Sequence, residues 1–202
     1  MKKNQKQIIG CVMGLLAMVL LSIMPATAAT PVTIASYTGP TNQYYYAGYP
    51  NGAYAEQSVG QSFVIPQAPV GNHCIIKQIS IKLCKLSTGS YPYVNLQVWR
   101  VNCNGIPYQS PAVSVYVPAC SIPQENPLPI PVVTITIPWN IQLLPGHYAF
   151  VLVTHNIQIV TEGKNCGNPY ACGTLLTKAN YNQPWVIYPM ADLYFAVTAE
   201  YV

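Results

Sequence analysis

The stretch IIKQISIKLCKLSTGSYPYVNLQVWRV, residues 75 to 101, decides the fold class of this chain. Ile75, Ile79, Ile81 and Leu83 point one way, while Gln78, Ser80 and Lys82 point the other. After the loop residues STGSYP, Val94, Leu96 and Val98 alternate with Asn95 and Gln97. A period of two marks half-buried strands with one dry face and one wet face. The stretch reads as two antiparallel strands, 75–84 against 93–102, joined by a loop.

Strands of the same kind flank it. Val32 to Ala35 predicts a short first strand, and QYYYAGYPNGAY (43–54) predicts a loop through its Gly, Pro and Asn residues. Gln61, Phe63 and Ile65 alternate with Ser62 and Val64; Val113, Val115 and Val117 alternate with Ser114 and Tyr116. Residues 121 to 131 carry too many prolines for a central strand. Val133, Ile135 and Ile137 give another strand. Tyr148 to Val153 is apolar on both parities, which predicts a central strand covered on both faces. Ile157–Val160, Leu175–Leu176, Trp185–Tyr188 and Leu193–Val197 follow. The expectation is an all-β protein: an antiparallel, jelly-roll-like β-sandwich of eight to ten strands, stapled by disulfides.

The N-terminus reads as a secretory signal peptide. Lys2, Lys3 and Lys6 precede an apolar run from Ile8 to Met24, and residues 25–29 (PATAA) offer a small-residue cleavage site. The expected organisation is a signal peptide over 1–29 and a single domain over 30–202, secreted to the cell surface. Without the leader, six lysine and arginine residues face five acids. That balance gives no reason to expect nucleic acid, nor a membrane once the leader is gone. So few charges leave a surface of Tyr, Asn, Gln, Thr and Pro, which tends to associate with itself or with other neutral polar matter.

Cys11 falls in the leader, leaving Cys74, Cys84, Cys103, Cys120, Cys166 and Cys172. An even count in a secreted chain predicts disulfides. An extended strand from Cys74 to Cys84 holds them on the order of 30 Å apart, beyond disulfide reach. The hairpin would place Cys74 beside Cys103, leave Cys84 for Cys120, and let Cys166 and Cys172 close the loop between them.

Catalysis finds little support. Glycoside hydrolysis needs two carboxylates across a bond, and Glu56, Glu125, Glu162, Asp192 and Glu200 are dispersed. No G-x-S-x-G, H-E-x-x-H or phosphate-binding glycine loop occurs, and His73, His147 and His155 are scattered. No catalytic residue, metal ligand or cofactor is expected. Lys77 shares the parity of Ile79 and Ile81, so it is read either as snorkelling to water or as one end of a Lys–Asn isopeptide crosslink. Trp99, out of phase with Val94, Leu96 and Val98, is read as a bulge residue or an exposed aromatic.

The succession QSFVIP (61–66), IKQISIKLCKL (76–86), VNLQVWRVNCNGIP (94–107), TITIPWNIQLLPGHYAFVLVT (134–154) and the Trp185 to Val197 segment resembles galactose-binding-like jelly-roll domains of the carbohydrate-binding-module type. The resemblance implies ligand binding by loop aromatics at one rim. Tyr44, Tyr45, Tyr46, Tyr49 and Trp185 are then the stacking candidates, the alternative being that the tyrosines only pack over one end of the fold. Many members of that family hold a structural calcium, but the acids here are isolated. Two functions follow as expectations. One is a non-catalytic, self-associating subunit of a cell-surface filament, sheath or layer, with its own copies as partners. The other is a stand-alone carbohydrate-binding module whose partner is a surface polysaccharide.

Overall fold

Valine and isoleucine at alternate positions crowd a helix but pack well on a pleated surface. The computed structural model, which describes residues 30–48, 58–68, 71, 73–124, 129–179 and 182–202, follows that preference throughout. Its strands are β1 (Val32–Tyr37), β2 (Gln43–Ala47), β3 (Ser58–Ile65), β4 (Cys74–Arg100), β5 (Val113–Pro118), β6 (Val132–Thr136), β7 (Gln142–Leu143), β8 (Gly146–Lys164), β9 (Leu175–Lys178), β10 (Val186–Tyr188), β11 (Asp192–Leu193) and β12 (Phe195–Tyr201). All pair antiparallel, and the described helix is a single 3-10 turn at Ala119–Ser121. The leader at 1–29, Tyr49 and Glu56 lie outside the described residues.

The expected hairpin at 75–101 is corrected. Both halves belong to one strand, β4, which never folds back on itself. Its residues 83–88 pair with 157–161 of β8, and its residues 93–100 pair with 148–155 of the same strand. The loop becomes a bulge: Gly89, Ser90, Tyr91 and Pro92 stand opposite Asn156 alone. Tyr91 (φ 53°) and Asn156 (φ 48°) take left-handed backbone there, and the Asn156 side-chain amide donates to the Ser90 carbonyl at 2.9 Å. The chain therefore steps out and resumes its direction. The reason lies in β8, whose long edge offers ladder partners to both halves, so no reversal is needed to satisfy either.

β4 thereby joins two groups of strands. Its first part carries β12, with β1 beyond it, on one side and β6 and β7 on the other. Its second part lies between β8 and β5. On its far side β8 pairs with β3, β2 and β11, and β3 leads on to β9 and β10. Ile79, Ile81, Leu83, Val94, Leu96, Val98, Phe150, Leu152, Phe195 and Val197 meet in one fully buried core. β1 pairs with β12 of its own chain, so residues 32–37 are spent within this molecule. Residues 43–47, expected as loop, are strand β2 laid along β8. Gly163 permits a close crossing there, because a Cβ would strike the Asp192 carbonyl oxygen and Leu193.

The cysteines follow from this topology. Cys74 opens β4 opposite Leu143 and Tyr201, whereas Cys103 lies just past its other end. The Cys74–Cys103 pairing rested on the hairpin and goes with it. No disulfide is formed among the described residues. Burial pushes the Cys74 thiol up to about 11, which leaves it a protonated, unreactive core group at neutral pH.

One ion pair stands where β2, β4 and β8 meet. Lys82 Nζ donates to Glu162 Oε2 at 2.6 Å, and Thr41 Oγ1 donates to the same oxygen at 2.6 Å. Burial pushes the Glu162 carboxyl up, but the hydrogen bonds from Lys82 and Thr41 and the lysine charge outweigh it and hold the group below the usual carboxylate range. A depressed folded value means stability that is present above the unfolded pKa and lost as pH falls through the folded one. Glu162→Gln is therefore expected to cost about 1–3 kcal/mol in urea unfolding at neutral pH. Its difference from the parent should shrink as pH falls below the ordinary carboxylate range and through the depressed folded value. A difference unchanged over that range would assign the loss to packing.

Candidate functional site

The wet side of β4's second half carries Tyr93, Asn95, Gln97 and Trp99, alternating with the fully buried Val94, Leu96 and Val98. Strict alternation sends these four to one face. The register continues the row: Asn95 lies opposite Val153, Val153 opposite Ser58, and Ser58 opposite Lys178. Together with His155, Thr154, Pro111 and Trp185 these residues line a groove of about 380 Å³.

The aromatic groups are held in place. Tyr93 stacks on His155 with centroids 4.7 Å apart and planes at 19°, and it meets the edge of Tyr116 at 5.2 Å. Trp99 Nε1 donates to Gln97 Oε1 at 3.0 Å. Ser114 Oγ donates to Asn95 Oδ1 at 2.8 Å, which fixes the orientation of the Asn95 amide. Lys178 Nζ sits 5.5 Å from the Trp185 ring centroid. The lining contains no carboxylate. Glu162 is engaged by Lys82, Glu200 by Lys77 at 3.3 Å, and Asp192 by Gln61 at 2.6 Å. The chemistry available is stacking plus neutral hydrogen bonding, which suits a polyhydroxylated ring. Among the described residues, no three His, Cys, Asp or Glu side chains gather at metal-binding range.

Of the stacking candidates, Trp185 lies in the groove. Tyr44 and Tyr46 are exposed on β2, away from it, and Tyr44 instead borders a notch with Thr41 and Glu162. Tyr45 turns inward; burial, then Asp192 and Tyr188, push its phenol up to about 12, and its hydroxyl finds no partner. Trp99 stands on a regular stretch of ladder, so it is no bulge residue, and it is half-buried in the groove lining and not fully exposed. Lys77 reaches past the core to Glu200 and to Asn140 Oδ1 (3.2 Å), with its amine still near water. Sequence reasoning passed over Tyr93, Asn95, Gln97 and Trp99 as a set. The signal was the wet phase of YVNLQVW itself, which reads aromatic, amide, amide, aromatic.

No protein-family model matches this chain, and no curated protein matches it. Among solved structures it is similar to one described as the structure of infectious bursal disease virus Gx strain, at 11% identity and a TM-score of 0.29. That match covers 85% of this chain, which spans 35% of the viral chain's length. So low a score leaves the function to be argued from this chain's own residues.

The stacking of Tyr93 can be weighed directly. Tyr93→Ala removes two ring contacts beside the bulge and is expected to cost about 1–2 kcal/mol in chemical unfolding. Tyr91→Ala, two residues away on a side chain 90% exposed, should change stability by less than about 0.5 kcal/mol. Equal effects would mean that the rings contribute nothing to the ladder.

Proposed function

We propose that this chain is a non-catalytic extracellular β-sandwich of the jelly-roll kind that binds carbohydrate through the groove on the wet face of β4, β8, β3 and β9. The observation that carries the reading is the placement of Tyr93, Trp99 and Trp185 around Asn95, Gln97, Ser58 and His155 in one concave strip. Ring faces cover the C–H faces of a sugar, and amides and hydroxyls answer its edges. The groove is neutral apart from Lys178, which favours a neutral polysaccharide over a charged one. The sequence resemblance to carbohydrate-binding modules agrees with this reading, although the groove stands on a sheet face and not among the tyrosines of 44–49.

A second reading is self-association into a filament, sheath or layer. Its supporting observation is a pair of strands, β5 and β6, each of which pairs with β4 alone and carries no charge. Val115, Val117, Val133 and Ile135 line a groove of about 220 Å³ between them, and Tyr116 and Val132 are exposed. Uncharged open edges invite pairing with another chain.

The test is tryptophan fluorescence titration with neutral hexasaccharides, cellohexaose and xylohexaose first, followed by a glycan array. Binding is expected to weaken roughly three- to tenfold in Trp99→Ala or Trp185→Ala and by more in the double variant. Tyr44→Ala and Tyr46→Ala should leave it unchanged. Loss of binding in the tyrosine variants alone would return the site to β2. Regular polymers in light scattering and negative stain, dispersed by Tyr116→Lys or Val132→Lys, would establish assembly instead.

A further inference from the structure

A second and larger cavity, about 680 Å³, opens beyond the far end of β4, and the groove described above shares none of its lining. Its walls come from the turn after β4 (Asn102, Asn104, Tyr108), from His147 at the start of β8, and from the 168–174 loop with Ile187 and Pro189. It contains Arg100, the single arginine of the chain. No acidic residue lines it, and Arg100 forms no ion pair among the described residues.

Arg100 is nonetheless oriented. The Tyr148 hydroxyl donates to the Leu144 carbonyl at 3.0 Å and accepts from Arg100 Nε at 3.4 Å, and the guanidinium lies 5.9 Å from the Tyr148 ring centroid. Tyr148 is itself 1% exposed, so the hydroxyl that steers the guanidinium is fixed by the core. Tyr148 and Tyr108 both accept from the guanidinium, and a planar anion would take the N–H groups that remain. The nearby acid, Asp192, is turned inward onto Gln61 Nε2 and the Tyr170 amide and does not compete.

We infer that this cavity is a separate binding site for a carboxylate-bearing sugar, a uronic acid. The carboxylate would meet the Arg100 guanidinium. The ring would lie against Tyr108 and Ile187. The inference does not rest on the neutral-sugar groove; either site can fail without the other.

The test uses D-galacturonate and D-galactose, which differ only in carboxylate against hydroxymethyl, with amide NMR shifts of the full mature chain as readout. Galacturonate should bind at least about tenfold more tightly than galactose, the worth of one charge-assisted contact. Its shifts should centre on Asn102, Gly105, Asn168 and Gly173. Arg100→Gln, on an exposed side chain, should erase the preference while the remaining spectrum stays in place, and Tyr148→Phe should reduce it by loosening the guanidinium. Equal binding of the two sugars, no binding of either, or galacturonate shifts confined to Trp99 and Trp185 would overturn the inference. Inorganic phosphate that competed as well as galacturonate would also overturn it, by reducing the cavity to a bare anion site.

Discussion

Thirteen residue pairs tie β4 to β8, and this single ladder fixes where almost everything else stands. β4 and β8 are the two longest strands, 27 and 19 residues, and their pairing leaves one edge of β8 for β3, β2 and β11. Because side chains alternate strictly, the register that buries Val94, Leu96 and Val98 also turns Tyr93, Asn95, Gln97 and Trp99 outward as a row. A slip of one residue would bury the amides and expose the valines. Core and groove are therefore two consequences of one register, and the stability of the first maintains the precision of the second.

The class of fold was legible for the same reason. Alternation in 75–83 and 94–98, the doubly apolar run 148–153 and the prolines of 121–131 all act locally, and local patterns survive in a sequence. The direction of the chain through 87–92 was not legible. In the main core cluster the run next to the loop is odd-numbered before it (79, 81, 83) and even-numbered after it (94, 96, 98). A hairpin accommodates that change of phase, and so does a bulge. What separates them is the partner strand β8, more than fifty residues away, together with the left-handed backbone of Asn156 that faces the bulge. The cysteine pairing expected between 74 and 103 inherited this ambiguity. The groove was half legible: its four β4 residues stood in the wet phase, but Ser58, His155, Lys178 and Trp185 reach it only through long-range register. The tyrosines of 44–46 drew attention by number alone, and β2 disperses them over both faces.

Two buried acids hold the region around β2, β11 and the end of β8 in opposite senses. Glu162, drawn down by Lys82 and Thr41, strengthens the fold when ionised. Asp192 is pushed up, chiefly by burial, against the hydrogen bonds it accepts from Tyr170 and Gln61. A raised folded value gives a contribution that is full below the unfolded pKa and fades as pH rises through the folded one. Acid thus relieves the cost of burying the Asp192 charge, while weakening the hydrogen bonds that carboxylate accepts, and loosens the Glu162 pair. The Asp192 clasp matters beyond stability. Gln61 and Asp192 bind β3 to β11, and the Tyr170 amide ties the 168–174 loop to the same carboxylate. That loop forms one wall of the Arg100 cavity, so a single buried network sets the wall's position.

The scarcity of charge gives these placements their weight. On a highly charged surface one arginine in a cavity would be unremarkable, since neighbouring acids would neutralise it. Here each described acid already has a partner at close range: Glu162 with Lys82, Glu200 with Lys77, Asp192 with Gln61 and the Tyr170 amide. Arg100 instead has tyrosine hydroxyls, which direct a guanidinium without cancelling its charge. The opposite arrangement holds on the sheet face, where Lys178 lies over Trp185 and the remaining groups are neutral. A chain with so few ions thus holds its one guanidinium in a cavity past the end of β4, and gathers its rings and amides on one sheet face.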